Sequence, residues 1–265
     1  MPAGSCTGRV VVITGAGNGI GRAHALAFAA QGARVVVNDL GGTRDGAGAS
    51  SGPAQAVAGE ITAAGGEAVA NTEDISSWAG ARRLIEAATE AFGGLDVVVN
   101  NAGTTHRNQP MLEVDEATFD RVYAVNVKSI YWMAQAAVPV LRQQGRGGSI
   151  INIGSTAGIS PRPGLVWYNG TKGAVNIITK AMALELAKEN IRVNSVCPVI
   201  GATALVADFM GGEDTPALRE RFLASIPLGR MSTPADIANA CVWLAEDSSS
   251  FITGVLLPVD GGRTA

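Results

Sequence analysis

Cysteine, histidine and charged side chains are all scarce in this chain of 265 residues, and each shortage excludes something. Three widely separated cysteines (Cys6, Cys197 and Cys241) cannot form a disulfide framework. Each reads as a small buried hydrophobe, and a reducing compartment suits them. His24 and His106 are the only histidines, so a histidine–cysteine metal site has almost nothing to draw on and no metal is expected. Charged residues make up 16% of the chain and sum to −3, which gives no electrostatic reason to expect nucleic acid or an anionic membrane as a partner. No apolar run approaches the ~20 residues needed to span a bilayer. The N-terminus lacks the basic start and apolar stretch of a signal peptide, so the cytoplasm is the expected location.

What the chain has in quantity is apolar surface. Hydrophobic residues reach 47%, which excludes disorder as a whole-chain state. Short apolar runs at 9–14, 34–38, 68–71, 95–100, 149–153, 191–196 and 255–259 alternate with helical patterns near 19–31, 54–64, 77–92, 116–144, 167–189 and 234–245. Most of the runs are continuous rather than alternating, as strands covered on both faces are. Regular β-α alternation with right-handed crossovers predicts a doubly wound α/β fold. No repeat, charge block or linker divides the chain, so one domain over 1–265 is expected. Pro258 cannot donate to a ladder, which puts the last strand at the sheet's edge. The Gly-, Ser- and Asp-rich stretch 41–53 reads as an exposed loop. The irregular stretch 199–227, with a short helix inside it, reads as a lid over the active site.

The first strand runs into Thr14-Gly15-Ala16-Gly17-Asn18-Gly19-Ile20-Gly21 at the head of a helix. Glycines let a backbone turn tightly against a pyrophosphate, whose charge is favoured at a helix N-terminus. The spacing here is G-x-x-x-G-x-G (Gly15, Gly19, Gly21) and not the G-x-G-x-x-G of the common dinucleotide fingerprint. The second strand ends at Asn38-Asp39. A carboxylate at this place can accept hydrogen bonds from the adenosine ribose and would repel the extra phosphate of NADP. Asn18 stands where a cation would sit in an NADP-binding turn, so NAD is expected, with Arg44 the nearest objection. Strand four ends in Asn100-Asn101-Ala102-Gly103, which can approach the same crevice with its backbone or serve as plain turn chemistry.

Tyr168-Asn169-Gly170-Thr171-Lys172 opens a long helix, and residues four apart share a helix face. Lys172 can thus place a positive charge beneath the Tyr168 ring. A nearby ammonium favours the phenolate, which would let Tyr168 take an alcohol's proton or return it to a carbonyl. Ser155 closes strand five, thirteen residues before Tyr168, where it can hydrogen-bond a substrate oxygen. Asn126 lies inside a helical pattern where asparagine is a poor helix former. Its side chain can bind water in a proton path or sit as a satisfied buried amide.

With these residues in this order, the chain resembles the short-chain dehydrogenase/reductase family. The match is carried by 14–21, Asp39, Asp74, 100–103, Asn126, Ser155, Tyr168, Lys172 and the closing Val259-Asp260-Gly261-Gly262. The resemblance implies a Rossmann-like sheet of seven parallel strands with helices on both faces, no metal, and a catalytic set of Asn126, Ser155, Tyr168 and Lys172. It also implies cofactor contacts from Gly15, Asn18, Gly19, Ile20, Gly21, Asp39, Leu40, Asp74, Ile75, Asn101, Ala102, Gly103, Tyr168, Lys172, Pro198, Val199, Ile200 and Thr203. A homotetramer or homodimer is implied, built around the helices at 116–144 and 167–189, which keep apolar surface beyond what one sheet face needs. Two departures stand out. Gly170-Thr171 replaces the family's common Ala-Ser, and Pro198-Val199-Ile200-Gly201 replaces its usual Pro-Gly, so the loop over the nicotinamide is expected to run differently.

The activity expected is NAD-dependent interconversion of a secondary alcohol and a ketone by hydride transfer, with Tyr168 as general acid and base. The alternatives are an NADP-dependent carbonyl or 3-oxoacyl-thioester reductase, and a nicotinamide-binding sensor without chemistry. Residues 104–107 and 156–159, with Trp167, Leu205, Phe209 and Met210, are candidates for the substrate end. Their largely apolar character favours a substrate with hydrophobic surface.

Overall fold

The computed structural model describes residues 4–42, 50–201, 208–209 and 215–265. Seven strands form one parallel sheet: β1 (Val10–Thr14), β2 (Arg34–Asn38), β3 (Glu67–Asn71), β4 (Val97–Asn100), β5 (Gly148–Ile153), β6 (Ile191–Pro198) and β7 (Leu256–Val259). Their order is β3-β2-β1-β4-β5-β6-β7, which reverses direction beside β1 and opens a crevice between the carboxyl ends of β1 and β4. Pro258 sits on the edge strand β7, opposite Cys197, where its missing N–H costs no ladder bond.

Eight α-helices accompany the sheet among the described residues: α1 (Gly19–Ala30), α2 (Gly52–Ala63), α3 (Trp78–Phe92), α4 (Glu116–Tyr123), α5 (Ser129–Gln144), α6 (Val166–Leu186), α7 (Pro216–Leu223) and α8 (Pro234–Ala245). Alternation along β1 shows how the layers are held. Val11 and Ile13 enter a core with Phe28 of α1, Val57 and Ile61 of α2 and Ile237 of α8. Val10 and Val12 face the opposite core, with Leu84 of α3, Met133 and Leu141 of α5 and Leu186 of α6. A strand with both faces buried favours apolar residues on either side, which is why residues 10–13 run on without alternating.

Local chemistry sets the helix ends. Ser77 accepts from the Gly80 N–H at the start of α3, which Gly93 closes at φ 79°. Thr233 and Asp236 form a capping box around Pro234 at the start of α8. The helical pattern at 116–144 differs from expectation. It is two helices joined by a π-turn at Ala124–Lys128, centred on Asn126. An asparagine whose side chain bonds to a neighbouring loop widens the helix there instead of letting it run on.

Acid acts on one buried group in this core. His24 of α1 is 0% exposed, its Nδ1 has no hydrogen-bond partner among the described residues, and the Cys241 thiol lies 4.0 Å from its Nε2. Burial pushes its imidazole down to about 3. An unfolded histidine binds its proton near ~6.5. As pH falls from that value toward 3, the unfolded chain takes up a proton that the folded chain refuses, so stability is lost across this window. His24→Leu should flatten the fall of the urea midpoint between neutral pH and pH 4. Parallel slopes in the two proteins would show that His24 is not the acid-sensitive group.

Candidate active site

A cavity of about 770 Å³ occupies the crevice at the carboxyl ends of the strands. One end is the glycine turn. Gly15 and Gly19 have φ of 62° and 52°. A Cβ at Gly21 would lie 2.0 Å from the Gly15 carbonyl oxygen, and one at Gly17 would lie 2.8 Å from Asp39 Oδ2. The turn is thus a backbone surface with no room for side chains, as close approach to a phosphate requires. Thr14 ties it to the next strand. Its Oγ1 accepts the N–H groups of Asn101 and Ala102, both at 3.0 Å, while Asn101 Nδ2 donates to the carbonyls of Thr14 (2.8 Å) and Gly15 (3.0 Å). The tandem asparagines therefore weld β4 to the glycine turn. Asn100 Nδ2 donates to Asn152 Oδ1 at 2.9 Å, and Asn152 Nδ2 donates to Thr179 of α6 at 2.9 Å.

Asp39 faces the same end. Its Oδ2 accepts from Gly17 N–H and its Oδ1 from Gly41 N–H, each at 2.8 Å. Two backbone donors hold the carboxylate in place and leave each oxygen a further lone pair. Gly17, which the sequence reading passed over as a site residue, is the donor that aims Asp39. Asp74 takes a turn role, with Oδ1 accepting from Ser76 N–H at 2.9 Å.

The other end holds the polar set. Ser155 follows β5, and its Oγ accepts from Ala157 N–H at 3.0 Å. Tyr168 and Lys172 lie on one face of α6, with Lys172 Nζ 5.9 Å from the Tyr168 ring centroid. Lys172 Nζ donates to the Ile153 carbonyl at 2.8 Å. Tyr168 is the third residue of α6, where a helix N–H has no intrahelical acceptor. His106 supplies one. Its Nδ1 sits 2.8 Å from the Arg107 carbonyl, so Nδ1 carries the proton and Nε2 is free to accept from Tyr168 N–H at 3.4 Å.

Burial dominates the electrostatics. It pushes the Tyr168 phenol up to about 12, against a hydrogen bond with Ser155 and the charge of Arg162, both of which lower it. Burial also brings the Lys172 ammonium down to about 8. The sequence reading counted the ammonium beneath the ring and left out desolvation. In the protein alone, desolvation outweighs it, and the cation that acts on the phenol is Arg162, which the sequence did not single out.

Asn126 lies just outside the cavity. Its Nδ2 donates to the Thr104 carbonyl (2.9 Å) and Thr171 Oγ1 (3.0 Å), and its Oδ1 accepts from Thr104 N–H (2.8 Å). Both amide hydrogens are spent, so the side chain is a satisfied buried amide that clamps the π-turn to the 104 loop. Thr171 Oγ1 in turn donates to the Tyr168 carbonyl at 2.7 Å, which explains threonine at this place. Gly170 has its reason too: a Cβ there would lie 3.0 Å from the Tyr123 hydroxyl.

Apart from Asn126, every candidate catalytic or cofactor residue among the described ones lines this cavity, including Ile20, Leu40, Ile75, Gly103, Pro198, Val199 and Ile200. Thr203, Leu205, Met210 and Arg44 lie outside the described residues. Of the candidates for the substrate end, Thr104, Ala157 and Phe209 line the cavity. Trp167 points elsewhere: its Nε1 donates to the Met111 carbonyl at 3.1 Å and its ring meets Phe119 edge-on at 5.4 Å. Lying beside Tyr168 in sequence, it leaves the helix on another face. Its packing against Phe119 is a long-range contact with no local sequence signal.

The family model described as enoyl-(acyl carrier protein) reductase matches residues 15–264. The chain is 51% identical over 255 residues to the 4-formylbenzenesulfonate dehydrogenase of Comamonas testosteroni, covering 96% of this chain and 97% of that one. It is 39% identical to the 2,5-dichloro-2,5-cyclohexadiene-1,4-diol dehydrogenase of Sphingobium indicum, over 96% of each chain. Among solved structures, the 3-ketoacyl-(acyl-carrier-protein) reductase of Brucella melitensis in complex with NADH superposes with a TM-score of 0.88 at 41% identity, covering 98% of this chain and 100% of that one. A 7α-hydroxysteroid dehydrogenase in complex with NADH and 7-oxo glycochenodeoxycholic acid gives a TM-score of 0.88 at 33% identity, over 97% of this chain and 94% of that one. Sequence and fold agree over nearly the whole length, and this chain is an oxidoreductase of the short-chain dehydrogenase/reductase family.

Proposed function

We propose that the protein interconverts a secondary alcohol and a ketone with NAD, using Tyr168 as general acid and base. The observation that carries the reading is the convergence, in one cavity, of a side-chain-free glycine turn, a fixed Asp39 carboxylate and the Ser155–Tyr168–Lys172 set. The bound nicotinamide would take or give the hydride. Ser155 holds the substrate oxygen beside the Tyr168 hydroxyl, and the phenol passes a proton to or from that oxygen. Lys172 holds the nicotinamide ribose and adds positive charge beneath the ring. Asn126 is a positioning residue, acting through Thr104 and Thr171 on the loop and helix that flank the site. The lid assigned to 199–227 lies partly outside the described residues, at 202–207 and 210–214; its described part supports a substrate-covering role through Phe209, whose ring meets that of Tyr168 at 5.2 Å.

The substrates named for the relatives include a formylbenzenesulfonate, a chlorinated cyclohexadiene diol and, for a relative 37% identical, L-rhamnose with NAD(P). That spread, which includes an aldehyde and the C1 of a sugar beside a ring diol, supports nicotinamide-dependent oxidoreduction and leaves the substrate to be read from this chain's own cavity. Outward-facing Tyr131 (53% exposed), Ile177 (67%) and Leu184 (83%) on α5 and α6 support a homotetramer or homodimer that buries these helices. Three buried free thiols support a reducing compartment such as the cytoplasm.

The choice of NAD over NADP rests on Asp39. Titration with each reduced cofactor, followed by quenching of tryptophan fluorescence, should find NADH bound at least tenfold more tightly, ~1.4 kcal/mol. Asp39→Asn keeps an acceptor for Gly17 or Gly41 and removes the charge, so it should narrow that gap. Equal or tighter NADPH binding by the unaltered protein would reject Asp39 as the selector. Binding of neither cofactor would reject the reading itself.

A further inference from the structure

At the substrate end of the cavity stands a cation with no anion beside it among the described residues. Arg162 lies in the segment between β5 and α6, half-buried, and lines the cavity together with Ala157, Leu165, Tyr168 and Phe209. Its guanidinium carbon sits 5.1 Å from the centroid of the Phe222 ring on α7, so the ring backs the cation. Among the described residues, its guanidinium makes no hydrogen bond and no ion pair. Only its backbone carbonyl is engaged, accepting from Asn169 Nδ2 at 2.7 Å. The charged and titratable neighbours that act on it are Arg263, of like sign, and the Tyr168 phenol. Arg263 is itself tied to Ser225 Oγ.

Arginine withdrawn from water is ordinarily paired, because an uncompensated buried charge is costly. Here burial, and then repulsion by Arg263, bring Arg162 down to about 10. Both costs fall when an anion arrives. Its charge acts on the Tyr168 phenol, but a neutral phenol gives the guanidinium no counter-ion, and proton transfer at the substrate oxygen is served by Tyr168 and Ser155. The walls around it are apolar, formed by Ala157, Leu165 and Phe209, which pack with Tyr168 as one cluster.

We propose that Arg162 anchors an anionic substituent, a carboxylate or a sulfonate, carried on the apolar body of the substrate. Planar, fork-shaped donors suit either group. The inference rests on the reading of this cavity as the alcohol–ketone site, and gives that site its substrate class: hydroxy or oxo compounds that bear a fixed negative charge.

The test reads binding and needs no turnover. The protein, with and without NADH, is titrated calorimetrically with 4-methylbenzenesulfonate, 4-methylbenzoate and the neutral, similarly shaped 4-methylbenzamide. The anions should bind more tightly than the amide, and whichever anion is held more tightly names the class. Arg162→Gln should weaken anion binding roughly 10- to 100-fold, as expected for the loss of a charge-assisted hydrogen bond, with amide binding and NADH affinity unchanged and Tm no lower. Arg162→Lys should recover part of the loss, because it restores the charge without the fork. Amide binding equal to that of benzoate, no detectable anion binding, or anion affinity unaltered in Arg162→Gln would each overturn the proposal. A role confined to tuning Tyr168 would give the last of these, together with a displaced pH–rate profile and equal losses of turnover on charged and neutral substrates. Failure here would leave NADH binding and alcohol oxidation intact, whereas failure of the underlying reading would remove those and need not touch anion binding.

Discussion

Tyr168→Phe is expected to lower kcat/KM on the order of 100- to 10,000-fold, the range for loss of a positioned acid or base, with NADH affinity nearly unchanged. Phenylalanine keeps the ring, and with it the contact to Phe209 and the packing against Leu165 and Ala157. What is lost is the oxygen proposed to pass the proton at the substrate. The sign of the pH dependence follows from burial, which holds the phenol up to about 12 in the protein alone. Below that value the phenol is protonated, the form that donates during ketone reduction. Alcohol oxidation needs the phenolate, whose fraction rises tenfold per pH unit until the group titrates. kcat/KM for oxidation should therefore climb with pH, while that for reduction stays level and then falls. Stopped-flow rates in both directions against pH provide the check. Substantial activity retained by the phenylalanine variant, or an oxidation rate indifferent to pH, would remove Tyr168 from its role.

Gly21→Ala should also be damaging, by a different route. The added methyl would lie 2.0 Å from the Gly15 carbonyl oxygen and 2.5 Å from Asn101 Nδ2, both belonging to the weld between β1, β4 and the turn. Something has to shift. Overpacking of this kind costs ~1–3 kcal/mol, and the shift displaces the N–H groups that the turn presents. NADH affinity should fall by more than tenfold and the urea midpoint should drop. Gly19→Ala is the control. Nothing lies within 4 Å of its would-be methyl, and only its φ of 52° opposes alanine. The cost there should be limited to left-handed strain, ~1–2 kcal/mol. Equal losses in cofactor affinity from the two substitutions would show that steric closeness at Gly21 is not what shapes the site.

The fold could be read early because its signals are local. Continuous Val-rich runs, each followed by a helix-length pattern, imply a parallel sheet with both faces covered, and Pro258 alone places the last strand at an edge. The glycine turn, Asp39 and the Tyr168–Lys172 spacing are likewise short-range patterns whose geometry a strand end or a helix turn dictates. They fall where expected around one cavity. The helix at 116–144 was harder. Nothing in its hydrophobic period marks the π-turn at Ala124–Lys128, because the cause is a contact between Asn126 and Thr104, 22 residues away in sequence.

Other site features needed the chain to be folded before they existed. His106 completes the first turn of α6 across 62 residues. Thr14 gathers the N–H groups of Asn101 and Ala102 only because β1 and β4 are neighbours. Arg162 becomes notable through what surrounds it: an aromatic ring behind, a like charge nearby and an open cavity in front. By itself, then, the sequence determined the sheet, the place of the crevice and which candidate residues would gather there, because periodicity, turn chemistry and helix spacing act over a few residues. Tertiary structure alone decided the burial that raises the Tyr168 phenol, the clamp that occupies Asn126 and the placing of Arg162 on the cavity wall against Phe222. Desolvation and long-range pairing depend on which distant segments pack together, and no window of sequence contains that.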